Sequence, residues 1–387
     1  MRPAFELAQV IDRFGNEFES QYPVNSYIQR TLRAIRQCRS SALGGHVDQC
    51  DTCGHIRISY NSCRNRHCPK CQNTQREEWI ENRKHDLLPI PYFHVVFTVP
   101  DKLNGLFLFR PAEMYNLLFR TAWETISQFS YTKLHSETGM VAVLHTWGQN
   151  LSLHPHLHCV VPGGGINYSN QWSEVKISEN GKTFLFPVKN LSAVFRGKFI
   201  ESIKRQFSQD KSFISELYRT QWVVYAKEPF AGPEQVVEYL GRYTHKVAIG
   251  NHRLLSVDDH KVRFSYLDYR DNKQKEMNLT GIEFLRRFCQ HILPKGFVRI
   301  RHYGLLSATR RPLLRQLQME FGMHIPLKRE KKSWKQICVE SLDFDPDLCP
   351  CCKNGKMITV ELILPGRAPP MKISNECLHS VLWLPPV

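Results

Sequence analysis

Apolar residues along this chain change period several times, and each change predicts a new element. Over 1–45, Phe5, Val10, Ile11, Phe14 and Phe18, then Tyr27, Ile28, Leu32 and Ile35, recur near helical spacing, which predicts a helical start closed by Gly44 and Gly45. A charged helical pattern resumes from Arg76 to Leu88, where Pro89 and Pro91 stop it. The period then shortens. PYFHVVFTVP at 91–100, MVAVLHTW at 140–147 and HLHCVVP at 156–162 are aromatic and β-branched and read as central strands. Between them, 111–129 carries a helical stripe opened by Pro111; further strands are predicted at 221–226 and 262–269, and a helix at 279–292. Strands and helices interleave without a regular strand–helix–strand repeat, so the fold class is α+β. Three regions follow: 1–88, helical and cysteine-rich; 89–307, strand-rich; and 308–387, a basic stretch with Arg310, Arg311, Arg315, Lys328, Arg329, Lys331, Lys332 and Lys335.

Charge changes the picture next. Fifty-two Lys and Arg against thirty-six Asp and Glu give +16 over 387 residues, which points to a polyanionic partner, nucleic acid before membrane. No run approaches the roughly 18 consecutive apolar residues of a membrane span, and the opening MRPAFELAQVIDRF is unlike a secretory signal, so a cytoplasmic location is expected. The thirteen cysteines are odd in number and clustered at short spacings, which favours metal-bound thiolates in a reducing compartment over disulfides.

Cys50-x-x-Cys53 and Cys68-x-x-Cys71, fourteen residues apart, form two knuckles whose four thiolates suit a tetrahedral zinc ion. Cys63 and His67 lie between them and are alternative ligands. Arg64, Arg66 and Lys70 surround the knuckles and are candidate phosphate contacts. Cys349 and Cys352 make a further knuckle, a candidate second zinc site without an evident second pair.

His156-Leu157-His158 places two imidazoles on one face of a strand, where they can share a cation. Gln149, seven residues earlier, is the expected third ligand from a neighbouring strand, with His145 and His154 as competitors. Downstream, Gly232-Pro233 opens a helical pattern in which Val236, Val237, Leu240 and Val247 make the buried stripe. Tyr239, Tyr243 and Lys246 fall in a sector of about 60° along its edge, and Gly241 falls on the far side. Phenols titrate near 10, so a tyrosine nucleophile needs a neighbouring cation, a role open to a metal or Lys246. Arg299 and Arg301, beside His302 and Tyr303, could neutralise and stack on a nucleic acid strand.

The runs SCRNRHCPKCQ (62–72), PYFHVVFTVP (91–100), HTWGQNLSLHPHLHCVVPGGG (145–165), EYLGRYTHKVAIGNHRL (238–254) and LPKGFVRIRHYGLLS (293–307) resemble the bacterial rolling-circle transposases of the insertion sequence 91 family. The chain is similar to the two-tyrosine branch of the HUH (histidine–hydrophobic–histidine) endonucleases. That resemblance implies an N-terminal zinc-binding domain and a catalytic domain with a ferredoxin-like sheet and flanking helices. It also implies nicking of single-stranded DNA at transposon ends through a 5′-phosphotyrosine. By position, His156 and His158 match the metal motif, Tyr239 and Tyr243 the paired nucleophiles, and Cys50, Cys53, Cys68 and Cys71 the zinc knuckles. Mg²⁺ or Mn²⁺ is the expected catalytic ion and Zn²⁺ the structural one. The chain has no G-x-x-x-x-G-K-[ST] loop, so unwinding is expected from a host helicase or the replication machinery, with the protein near the bacterial nucleoid. Rival readings are a plasmid relaxase or replication initiator, a non-catalytic zinc-dependent DNA-binding regulator, and a zinc hydrolase built on the HPHLH run.

Overall fold

Five antiparallel strands form the central sheet, in the spatial order Ile300–Gly304, Gly139–Trp147, Leu153–Pro162, Tyr92–Thr98, Val223–Phe230. The computed structural model describes residues 3–175, 185–230, 233–323 and 332–366. The three strands read as central from the sequence are the three inner strands. Their near-continuous apolar character follows from burial on both faces.

Alternation along these strands sorts side chains between two cores. On one face Phe93, Val95, Phe97, Ala142, Leu144, Leu157, Cys159 and Val161 pack beneath the helices Pro111–Phe129 and Val188–Gln206. On the other, Tyr92, Val141, Val143 and Val160 meet Ile80, Val236, Leu305 and Leu306. Leu157 is fully buried, a contribution of about 1.5–3 kcal/mol for that side chain alone.

The second face carries the helix Pro233–Thr244, which follows the edge strand Val223–Phe230. Val236, fully buried, anchors it, and residues three and seven positions later share its face. The helical pattern expected to run on to Val247 stops at Thr244, leaving Lys246 beyond the end. The side of this helix away from the sheet is partly covered, although Glu238 stays exposed. The helix Gln72–Lys84 packs there, and Gly241 is buried against Ile80.

The N-terminal region departs from the expected continuous helix. It forms two helices, Leu7–Gln21 and Ser26–Arg36, because Pro23 interrupts the pattern and Asn25 caps the second, accepting from the N–H groups of Tyr27 and Ile28 at 3.1 and 3.0 Å. Strands Gly45–Cys50 and Ile56–Tyr60 follow. The third strand of their sheet, Met357–Ile363, comes from the far end of the chain and pairs antiparallel with Gly45–Cys50. The C-terminal region therefore returns to the start of the chain; Lys328, Arg329 and Lys331 lie outside the described residues.

A further sheet, Leu254–Val257, Lys261–Asp268 and Lys273–Thr280, sits with the first helix and the helix Gly281–Cys289 around Phe14, Val262, Phe264, Phe284 and Phe288. The helix expected at 279–292 starts later because Thr280 is its cap, accepting from the Glu283 N–H at 3.3 Å. Among the described residues, no helix is long and apolar enough to cross a membrane.

The Gly241 contact yields a test of the helix pair. Gly241→Ala would gain up to about 1 kcal/mol of helix propensity. Its methyl, however, would meet Ile80 Cδ1 at 2.3 Å and Cγ1 at 2.6 Å. Because Ile80 is buried, the overlap should dominate and cost about 1–3 kcal/mol in a denaturant titration; an unchanged or raised midpoint would contradict this packing.

Candidate active site and cysteine clusters

Register assembles the histidine cluster. In the hairpin of Gly139–Trp147 with Leu153–Pro162, His145 lies directly across from His156 and Val143 across from His158, and paired residues of an antiparallel ladder share a face. In the next strand Val96 is opposite His158, so His94, two residues earlier, is also on that face. His145, His156 and His158 bring ligand nitrogens within 4.8 Å of one another.

Hydrogen bonds fix which nitrogen each ring has left. His145 Nε2–H donates to the Tyr243 carbonyl at 2.7 Å, and His156 Nδ1–H donates to the His154 carbonyl at 2.7 Å. A carbonyl only accepts, so these bonds leave Nδ1 of His145 and Nε2 of His156 for a cation. His158 shares a hydrogen bond through Nδ1 with His94 Nε2 at 3.0 Å, which leaves its Nε2. Burial holds His156 down at about 4 and pushes His145 and His158 well below the usual histidine range. All three are thus neutral imidazoles at physiological pH, the protonation state that ligates a metal.

Both tyrosines of the helix point at this cluster. The Tyr243 ring lies 4.1 Å from the His158 ring, centre to centre, and the Tyr239 ring lies 4.9 Å from His94. The Tyr243 hydroxyl donates to the Tyr239 oxygen at 3.1 Å, and that oxygen is 3.2 Å from His94 Nδ1. Lys246 Nζ is 6.0 Å from the centre of the Tyr243 ring, and desolvation, then Arg253, lowers its pKa.

Gln149, the expected third ligand, is not on the adjacent strand. The hairpin turns at 148–152, so Gln149 sits in the loop, where its amide donates to the Tyr269 hydroxyl at 2.9 Å. His145 occupies the position across from His156 instead. His154 turns outward toward Asp101, 3.6 Å away. His94 carried no motif that marks it; its place depends on a register that spacing does not reveal.

The cysteines form two sets, composed differently from the expected four-thiolate site and separate C-terminal knuckle. Cys38, Cys63, Cys68 and Cys71 gather at one point, and Cys50, Cys53, Cys349 and Cys352 at another. The two knuckles Cys50/Cys53 and Cys68/Cys71 thus belong to different clusters. The strands Gly45–Cys50 and Ile56–Tyr60 carry the first knuckle away from the second, while the end of the helix Ser26–Arg36 brings Cys38 to it. In that first set Cys38 and Cys71 sulfurs are 3.4 Å apart and Cys63 and Cys71 3.7 Å, close to the roughly 3.8 Å edge of a tetrahedron with Zn–S near 2.3 Å. Cys63, an alternative in the sequence, joins it. His67 does not: its ring is buried and its Nε2 accepts from Arg66 at 3.4 Å.

The arginines expected to meet phosphate divide. Arg299 is buried, and its guanidinium donates to the carbonyls of Thr244 and, at 3.0 Å, of Lys246, capping the negative end of the tyrosine helix. Arg66 donates to the carbonyls of Pro294 and Phe297 at 3.0 and 2.5 Å. Arg301 pairs with Ala142, on the face opposite the histidines, and its guanidinium lies 4.2 Å from the centre of the Phe119 ring. Lys70 binds Glu6 at 2.8 Å. These four are engaged within the fold. Arg64 is exposed, with φ at 50°.

Residues 139–312 match the family described as "Putative transposase" and residues 10–99 the "Transposase zinc-binding domain". The chain is 43% identical to "Putative transposase y4qJ" of Sinorhizobium fredii, over 94% of this chain and 97% of that protein. It is 27% identical to "Transposase for insertion sequence element IS801" of Pseudomonas savastanoi pv. phaseolicola, over 92% and 89% of the respective chains. No solved structure matches.

The buried histidines predict an acid-sensitive fold. His156, His245, His291 and His302 are each pushed down to about 4, chiefly by burial, whereas an unfolded histidine titrates near 6.5. Their folded values are depressed, so the unfolded chain binds more protons between these limits. Stability is fully present above pH 6.5 and falls as pH drops toward 4, by up to about 1.4 kcal/mol per pH unit for each histidine. His291→Gln should make the slope of unfolding free energy between pH 6.5 and 5 shallower by about that amount; equal slopes in the two proteins would contradict the assignment.

Proposed function

This chain belongs to the insertion sequence 91 family of transposases, and on that premise we propose that it nicks and rejoins single-stranded DNA at transposon ends through a 5′-phosphotyrosine, as a metal-dependent HUH endonuclease of the two-tyrosine branch. The observation that carries this reading is the contact of both tyrosines with the histidine face of the central sheet, Tyr239 through its hydroxyl and Tyr243 through its ring, with the two hydroxyls bonded to each other. A zinc hydrolase would have no use for paired phenols there, and a purely DNA-binding regulator no use for buried neutral imidazoles.

The residues fit a divalent ion, since three neutral rings each keep one nitrogen for it. His145, His156 and His158 would hold it, and it would supply Lewis-acid stabilisation of charge on the scissile phosphate. A third imidazole in place of the Gln149 oxygen makes the donor set all nitrogen, which favours Mn²⁺ over Mg²⁺.

Hydrogen bonding distinguishes the tyrosines. With His158 Nε2 turned to the cluster, its Nδ1–H donates to His94 Nε2, so a neutral His94 presents Nδ1–H to Tyr239. The Tyr239 oxygen then accepts from both His94 and Tyr243, and two donors on one phenolic oxygen favour its anionic form. Tyr239 is the first nucleophile in this reading. Its oxygen bonds to phosphorus as its proton passes to solvent, the P–O3′ bond breaks, and the departing 3′-oxygen takes a proton from solvent to become a free hydroxyl. Lys246, just beyond the end of the same helix and 6.0 Å from the Tyr243 ring centre, would meet the phosphate charge, and a host helicase or replication machinery would supply the open strand.

Labelled single-stranded transposon-end DNA incubated with the protein and Mn²⁺ should give a denaturation-resistant adduct. Tyr239→Phe should reduce the first adduct by about 100-fold or more, whereas Tyr243→Phe should retain it at a slower rate. Binding without an adduct would favour the regulator and sink the nickase reading. Calorimetric titration with Mn²⁺ probes the ligand set separately: His145→Ala should weaken binding by about tenfold or more, and Gln149→Ala should leave it within about twofold. The reverse ranking would restore Gln149 as the third ligand.

A further inference from the structure

We infer that Cys50, Cys53, Cys349 and Cys352 bind a second structural zinc ion, which clasps the C-terminal segment to the start of the chain and braces the helix that backs the tyrosines. Two of these ligands lie outside both matched segments, 10–99 and 139–312, so neither family match accounts for the site.

The site is built as a pair of near-identical knuckles. The Gly54 N–H donates to the Cys50 carbonyl at 3.1 Å and the Lys353 N–H to the Cys349 carbonyl at 3.0 Å. Gly54 and Lys353 both take the left-handed backbone, with φ of 70° and 57°. Backbone N–H groups point at the sulfurs: Thr52 at Cys50, 3.4 Å, and Gly355 at Cys352, 3.3 Å. Cys50 and Cys352 sulfurs are 3.7 Å apart, and Cys53 and Cys349 sulfurs 3.6 Å. These separations match a tetrahedral edge of roughly 3.8 Å and are far from the roughly 2.05 Å of a disulfide. Gly355 has no room for a side chain, because a Cβ would lie 2.4 Å from the Cys50 sulfur. Four thiolates this close repel unless a cation sits among them.

Load passes from this cluster toward the active face. The pairing of Met357–Ile363 with Gly45–Cys50 continues directly from the knuckles, with Met357 opposite Cys50. A buried Arg57–Asp48 ion pair at 2.9 Å adds bonds to the Pro346 carbonyl at 2.9 Å and, through Asp48, to Thr359 at 2.8 Å. Upstream of the second knuckle, the helix Trp334–Leu342 packs on Gln72–Lys84, and Lys332 bridges Glu81 and Glu340 at 2.9 and 2.6 Å. Gln72–Lys84 in turn holds Gly241 of the tyrosine helix through Ile80.

Metal content of the full-length protein tests the assignment. Elemental analysis should find two zinc ions per chain, one in Cys349→Ser/Cys352→Ser, and two in the control Cys351→Ser, whose thiol is exposed and outside both clusters. Cys352→His, which offers nitrogen in place of sulfur, should keep both ions even if the double serine variant folds poorly. One zinc in the wild-type protein, iron in the second site, or two zinc ions in the double variant would overturn the site. Hydrogen–deuterium exchange tests the clasp: the double variant should lose protection in Met357–Ile363, Trp334–Leu342 and Gln72–Lys84 by about tenfold or more. Loss of zinc with unchanged protection there would overturn the bracing role.

Discussion

The active face depends on the register of one hairpin. His145 is opposite His156, and Val143 is opposite His158, so three imidazoles converge from two strands while Leu144 and Leu157 fill the core on the other side. A slip by one residue would reverse every side chain of the moving strand and put a histidine among leucines and phenylalanines. The cost of burying unpartnered imidazoles there, several kcal/mol, protects the register that makes the site. Function and core packing are thus set by the same alternation.

The helix above this face is held from three directions. Val236 enters the apolar part of the sheet surface, Ile80 presses on Gly241 from outside, and Arg299 caps the last carbonyls. Burying a guanidinium is costly, and desolvation drives the pKa of Arg299 down to about 10. Its bonds to the carbonyl end of the helix offset that cost and fix the end nearest Tyr243. An arginine that reads from sequence as a phosphate contact is instead spent on fixing the end of the tyrosine helix. The same holds for Arg66, which ties the carbonyls at Pro294 and Phe297 just before Arg299.

Legibility in the sequence followed the range of the interaction. The inner strands were readable because two-sided burial leaves long apolar runs, and the tyrosine pair because helical spacing is local. The strand Lys273–Thr280 was not, since it is mostly exposed and only Met277 and Leu279 alternate toward the core, too short a signal among charged residues. Gln149 looked like a facing donor because seven residues can span a hairpin, but the turn at 148–152 shortens the ladder and makes His145 the partner. Cysteine spacing identified knuckles correctly and their partners wrongly. Which knuckle closes on which depends on strand pairing between Gly45–Cys50 and Met357–Ile363, some three hundred residues apart, and no local pattern encodes that.

One bond joins the histidine cluster to the tyrosine helix. His145 donates through Nε2 to the backbone carbonyl of Tyr243, so the ring that offers Nδ1 to a cation also holds the helix bearing both phenols. A second path runs from His158 through His94 to Tyr239 and from there to Tyr243. Moving the helix by even a fraction of its 5.4 Å pitch would break both paths together. Moving one of the histidine rings would do the same, because each uses one ring nitrogen as an anchor. The histidine cluster and the tyrosine pair are therefore one geometric variable in this fold, and the helix packed behind Gly241 is part of what sets it.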